Sequence, residues 1–221
     1  ETVGNRVRIK DDRYQQKFTV HKKGLYLAGG ESALAFTKRF RNSLLDYGLD
    51  ESAINVMVPV SANEGALDAV NTWDNAFLSF GMYQWTAGAD AGKGELPALV
   101  KRIKKEDAEA FQEYFGRFGL DVVDSETGEV RGMFSLDGTP LKNAGDKESL
   151  RTHPWAFRFW KAGLDPRVQI VELVQGFERL YTFYSHSGYK VNNTWTVDQI
   201  VTSEFGVALL LDHHVNRPAY P

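Results

Sequence analysis

The fold turns on Glu64-Gly65-Ala66-Leu67-Asp68-Ala69-Val70-Asn71-Thr72-Trp73-Asp74-Asn75-Ala76-Phe77-Leu78-Ser79-Phe80-Gly81-Met82-Tyr83-Gln84-Trp85. Helical periodicity does not persist past Phe77, and Gly65, Gly81, Gly88, Gly92 and Gly94 punctuate the segment. Glycine at that density favours hairpin or irregular structure. A second reading is open. Ser61-Ala62-Asn63-Glu64 matches a capping box, with Leu67, Val70 and Phe77 as the apolar face of an ordinary helix.

The flanking segments are mainly helical. Ala33, Phe36, Phe40, Leu44 and Tyr47 recur at helical spacing before a stop at Gly48. Asp50-Glu51-Ser52 opens a segment that leads through Ile54, Met57 and Val58 to Glu64, and Pro59 predicts that it is short or kinked. Pro97 fits the first turn of a helix ending near Lys105, and Asp107 caps another that Gly119 ends. Residues 121–136 read as a hairpin turning at Glu126-Thr127-Gly128. Asp165-Pro166 starts a helix carrying Val168, Val171, Val174, Phe177, Tyr181 and Tyr184 on one stripe. Thr196-Val197-Asp198-Gln199 is a capping box, and Ala208-Leu209-Leu210-Leu211, apolar all round, predicts a central buried helix. Residues 5–28 alternate loosely and predict an extended arm or one or two short strands over 1–30, with one domain over 31–221. The fold class is α+β, predominantly α-helical.

Composition narrows the function classes. The chain has 221 residues, 43% hydrophobic and 25% charged, enough for one sizeable core. A net charge of -3 and a pI near 6.0 argue against a nucleic-acid binder. Lys101-Arg102-Ile103-Lys104-Lys105 is followed at once by acids and reads as a solvated helix end. With no cysteine there is no disulfide or thiolate metal site. No apolar run is long enough to cross a membrane, and no targeting signal is visible. Adjacent His213 and His214 point about 100° apart on a helix, which suits a dipole-favoured C-terminus better than a metal site. No cofactor is expected.

The chemistry-bearing residues lie in the opening stretch. A carboxylic acid held among Trp73, Phe77, Phe80 and Trp85 can stay protonated, because desolvation disfavours its charge. Glu64 is then a general acid that protonates a leaving glycosidic oxygen. Asp74 can position water if the stretch doubles back, and it can equally make an Asx-turn at a hairpin tip. Asp68, among small residues, reads as a solvated surface acid. Trp73, Tyr83, Gln84 and Trp85 can hold sugar rings, hydroxyls and N-acetyl groups, or simply pack a half-buried strand.

These residues resemble a known family. Glu64-Gly65, Trp73-Asp74 and Ser79-Phe80-Gly81 look like the catalytic stretch of phage-type lysozymes. Ser79-x-Gly81-x-x-Gln84 also resembles goose-type lysozymes and lytic transglycosylases, and Asp212-x-x-x-Asn216 is similar to a late helix ending of related muramidases. The resemblance covers mainly 52–100 and 205–218. It implies a lysozyme-like helical domain with a small β-hairpin at the cleft, and a peptidoglycan-cleaving hydrolase of the cell wall, secreted, periplasmic or phage-delivered. Glu64 would be the acid. Asp74 and Ser79 would hold water, and Trp73, Tyr83, Gln84, Trp85 and Asn216 would line the substrate. In the transglycosylase variant Glu64 acts alone as acid and base. Gln84 stands where many phage enzymes carry histidine. A chitosanase- or chitinase-like hydrolase and a non-catalytic glycan-binding domain are the alternatives.

Overall fold

The computed structural model describes residues 2–89, 93–123, 130–185 and 190–216, with the backbone alone for residues 2, 3, 62–64 and 216. Helices surround small antiparallel sheets, an α+β arrangement in which about half the chain is helical. Four strands open it: β1 (Thr2–Val3), β2 (Arg6–Lys10), β3 (Gln15–His21) and β4 (Gly24–Leu27). Helices α1 (Ala33–Asp46) and α2 (Glu51–Glu64) follow. The decisive stretch then forms β5 (Val70–Asn71), β6 (Ser79–Phe80) and β7 (Trp85–Thr86). The seven strands make one antiparallel sheet in sequence order. Leu27 stands opposite Val70, Asn71 opposite Ser79, and Ser79 opposite Thr86.

The capping-box reading at Ser61 is overturned. Ser61 lies in the last turn of α2, and its Oγ donates to Val58 O at 2.8 Å. The helix starts instead at Asp50, whose side chain accepts from Ala53 N–H. Pro59 does not shorten it. Ala53, Ile54, Val56, Met57 and Val60 are all buried, and that burial outweighs the backbone hydrogen bond proline cannot make. The helix ends where Gly65 N–H bonds Ser61 O at 3.1 Å.

The remaining elements build the core behind the meander. Helices α3 (Glu95–Glu106) and α4 (Ala108–Tyr114) precede β8 (Leu120–Val123), β9 (Met133–Leu136) and β10 (Thr139–Pro140). Strands β8 and β9 pair as the sequence predicts, and the expected turn at 126–128 lies outside the described residues. After the short α5 (Ala144–Lys147), α6 (His153–Ala162) is a helix the sequence reading did not find. Its Phe159 packs against Phe80, Phe115 and Phe134, with ring centroids 5.4, 4.8 and 6.5 Å away.

Helix α7 (Pro166–Glu178) has the predicted Asp165 cap, but its apolar stripe stops short. A tighter turn over Arg179–Thr182 ends it and leaves Tyr181 exposed. A two-stranded ribbon, β11 (Lys190–Val191) and β12 (Trp195–Thr196), leads to α8 (Val197–Ile200) and α9 (Glu204–Asn216). The capping box at Thr196 forms, yet α8 is a single turn. Helix α9 is not central. Phe205 is 75% and Leu209 56% exposed, while Val207 and Leu211 face the core. Asn55 on α2 donates to Glu204 at the start of α9 at 3.2 Å. Among the described residues, no helix is long and apolar enough to cross a membrane.

Candidate functional site

Gly65 marks the meeting of α2 and the meander. A Cβ built on it would stand 3.6 Å from Gly81 O and 3.7 Å from Gln84 Nε2. Gln84 Nε2 in turn donates to Gly81 O at 2.9 Å. The backbone of Glu64, one residue before Gly65, therefore lies beside the β6–β7 turn. The side chains of Glu64 and Asn216 fall outside the described residues. The turn is tight. Gly81 and Gln84 both adopt left-handed backbone, at φ 77 and φ 49. A side chain on Gly81 would run into the Glu172 carboxyl and the Trp85 ring.

Asp74 lies elsewhere. The stretch doubles back, but the β5–β6 register leaves residues 72–78 as a loop, with Gly81 N–H bonding Ala69 O at the opposite end of the hairpin. From Ala69 to Thr72 an extended chain covers about 10 Å. The Asp74 carboxylate is also engaged locally. Oδ1 accepts Ala76 N–H at 2.8 Å and Oδ2 accepts Asn71 Nδ2–H at 2.7 Å, which makes an Asx-turn. Trp73, 42% exposed, stacks on His21 at 4.8 Å. Arg151 anchors this loop: it donates to Thr72 O at 2.7 Å and its guanidinium sits 4.5 Å over Phe77, a residue held at φ 66.

Ser79, Tyr83 and Trp85 are buried in the meander. Tyr83 and Trp85 lie 5.6 Å apart, and Tyr83 packs close to Gly176 of α7. The structure thus gathers Gln84, Tyr83 and Trp85 near the end of α2 and carries Trp73 and Asp74 to the far end of the hairpin.

Two titratable side chains, Asp68 and His214, differ from their sequence reading, and a third, Glu172, has no reading there. Asp68 is buried, not solvated. Its Oδ1 accepts Gly30 and Glu31 N–H at 2.7 and 2.9 Å, tying the α2–β5 link to the start of α1. Glu172 of α7 went unnoticed inside an apolar stripe. It has no exposed surface, and its Oε2 accepts Met82 N–H at 3.3 Å behind the β6–β7 turn. Burial raises its pKa well above the usual carboxyl range; the Met82 bond opposes this and the Asp68 charge adds to it. His214 is not a dipole-favoured cation. Burial, then the charges of Arg179 and His213, lower its pKa to about 4, so the ring is neutral near pH 7.

A cavity of about 710 Å³ opens beside Trp85. Helix α3, the end of α7 and its following turn, and His214 wall it. Arg179 braces one side, donating from Nε to His214 Nδ1 at 3.1 Å and to Glu95 at 3.0 Å. His214 stacks on Phe183 at 4.4 Å. Among the described residues, no group of three or more His, Cys, Asp or Glu is placed to hold a metal. No family model matches the chain, and comparison with curated proteins and with solved structures returns no match.

Proposed function

We propose that the protein cleaves the β-1,4-linked glycan of peptidoglycan, with Glu64 as the general acid. One observation carries the reading: α2 ends at Glu64, and the next residue sits against the Gly81–Gln84 turn of a short β-meander whose Trp85 walls a large cavity. A glutamate whose backbone ends a helix beside an amide-bearing turn is of the residue type that can protonate the glycosidic oxygen of a sugar bound there. The resemblance of the stretch from Glu64 to Gln84 to lysozyme-type sequences is the second support for this reading.

The engagement of Asp74 favours a route in which Glu64 works alone. Glu64 gives its proton to the leaving oxygen, and the C1–O bond breaks. The C6 hydroxyl of the muramyl residue then attacks C1 and returns its proton to Glu64, closing an anhydro ring. Asp68 is committed to backbone N–H groups and Glu172 has no exposed surface, so neither is poised to activate water. Hydrolysis through Asp74 is the second reading, since the loop that holds it joins β5 to β6 of the same meander.

Mass analysis of products from purified peptidoglycan distinguishes the two, because anhydro ends lack one water. The same assay with Asp74→Asn is expected to show activity within about threefold of wild type. A loss of about a hundredfold or more would favour Asp74 as a water-activating base.

A further inference from the structure

The outer face of β2, β3 and β4 carries cations and no carboxylate, since these strands contain neither Asp nor Glu. Val7 stands opposite Phe18 and Val20 opposite Leu25, and all four pack into the core. The alternate residues point outward. They include Arg6 and Lys10 on β2 and Lys17 on β3, all exposed, with Arg6 opposite Thr19 and Lys10 opposite Gln15. Arg6 and Lys10 are about 13 Å apart along the strand. Arg8 lies between them and already has a partner. Lys22 and Lys23, also exposed, make the β3–β4 turn. Among the described residues, no carboxylate is bonded to Arg6, Lys10, Lys17, Lys22 or Lys23. The bordering acids do not cancel them. Asp11 is bonded to Lys161 at 2.6 Å, Asp12 and Arg13 offset each other in charge, and Asp74 is held by Asn71 and Ala76 N–H. The net charge of -3 therefore averages over a segregated surface.

We infer that this sheet face docks a phosphodiester polymer attached to the cell wall, which holds the protein on its glycan. The inference deepens the peptidoglycan reading and rests on it for where the protein works. Cations repeated along and across strands match a chain that repeats its charge, whereas one compact anion would meet only part of them. A lipid surface is disfavoured, because no aliphatic side chain points outward from β2, β3 or β4 to enter it. Single-stranded nucleic acid calls for successive open rings under its bases. Here the exposed Tyr26 and Trp73 are gathered on His21, edge-on at 6.3 Å and stacked at 4.8 Å. The same sheet carries the β6–β7 turn, so polymer and glycan would be held on one element.

The test uses the full chain carrying Glu64→Gln, which separates binding from turnover. Its co-sedimentation is measured with sacculi that retain their phosphodiester polymer and with sacculi freed of it by hydrofluoric acid. The polymer-bearing sacculi are expected to bind roughly tenfold more tightly, with an advantage that shrinks in high salt. Adding Lys10→Glu and Lys17→Glu should remove the advantage. Lys22→Glu with Lys23→Glu, in an exposed turn where folding is least at risk, should reduce it. Soluble poly(glycerol phosphate) should compete for the face, and oligo(dT) of matched charge should compete less well. Equal binding to the two kinds of sacculi would overturn the inference, as would an undiminished advantage in both charge-reversed variants. Stronger competition by oligo(dT), or tighter binding to phosphatidylglycerol vesicles than to sacculi, would overturn it too, in favour of nucleic acid or membrane. The cleavage reading fails separately, if wild-type protein releases no fragments from either material.

Discussion

Glu172 shows how one residue's environment can set a pH response. Its carboxyl has no exposed surface, and burial raises its pKa well above the ordinary glutamate value of 4.5. The folded chain therefore keeps a proton that the unfolded chain releases. The stability linked to this group is fully present below about pH 4.5 and is lost as pH rises through the folded pKa. Glu172→Gln keeps the shape and the acceptor for Met82 N–H while removing the titration. Denaturant unfolding of this variant should show equal or higher stability than wild type at pH 7, and no gain at pH 4. Glu172→Ala leaves both a void and an unpaired N–H, and should cost about 2–4 kcal/mol. None of this was legible in the sequence, where Glu172 lies between Val171 and Leu173 on a helix with no sign of what covers it. Asp68 and His214 were misread for the same reason. Their partners, Gly30 and Arg179, are remote in the chain, and local composition carries no information about remote partners.

The meander is the element on which the site depends, and Gly81 is its narrowest point. Positive φ there disfavours any side chain, and the Glu172 carboxyl occupies the space a methyl would need. Gly81→Ala should destabilise the protein by at least about 2 kcal/mol. It should also depress glycan cleavage by more than the unfolded fraction explains, because the turn carries Gln84 beside Gly65. Thermal melting and activity measured on the same samples check both parts. Glycine spacing made this element readable in outline: loss of helical period after Phe77 and a hairpin through Ser79–Trp85 both follow from local chemistry. The end of α2 was readable less well, since Ser61-x-x-Glu64 fits a helix start as well as a helix interior. Helix α6 was passed over although Trp155 and Phe159 stand at helical spacing. Helix α9 was misplaced because an unbroken apolar run has no phase to mark which side, Leu209 or Leu211, meets the core.

At the scale of the molecule, the first strands and the meander are one sheet. Phe18 and Leu25 have no exposed surface, and β4 pairs directly with β5. Thr72 completes the join: its Oγ1 accepts Leu25 N–H and its N–H bonds Leu25 O, both at 2.8 Å. Removing residues 1–28 would strip these contacts and expose the edge of β5, with each buried Phe or Leu worth about 1.5–3 kcal/mol. The shortened chain is expected to lose cooperative thermal unfolding, whereas an independently folded remainder would melt cooperatively near the wild-type temperature. The sheet thereby fixes the β6–β7 turn against the end of α2, the helix that Glu64 closes. The most direct measurement is the rate at which Glu64→Gln releases soluble glycan fragments from purified peptidoglycan, beside wild type with matched circular dichroism. Wild type is expected to be active and the variant to lose at least about a hundredfold. Release by Glu64→Gln at the wild-type rate would rule out Glu64 as the general acid.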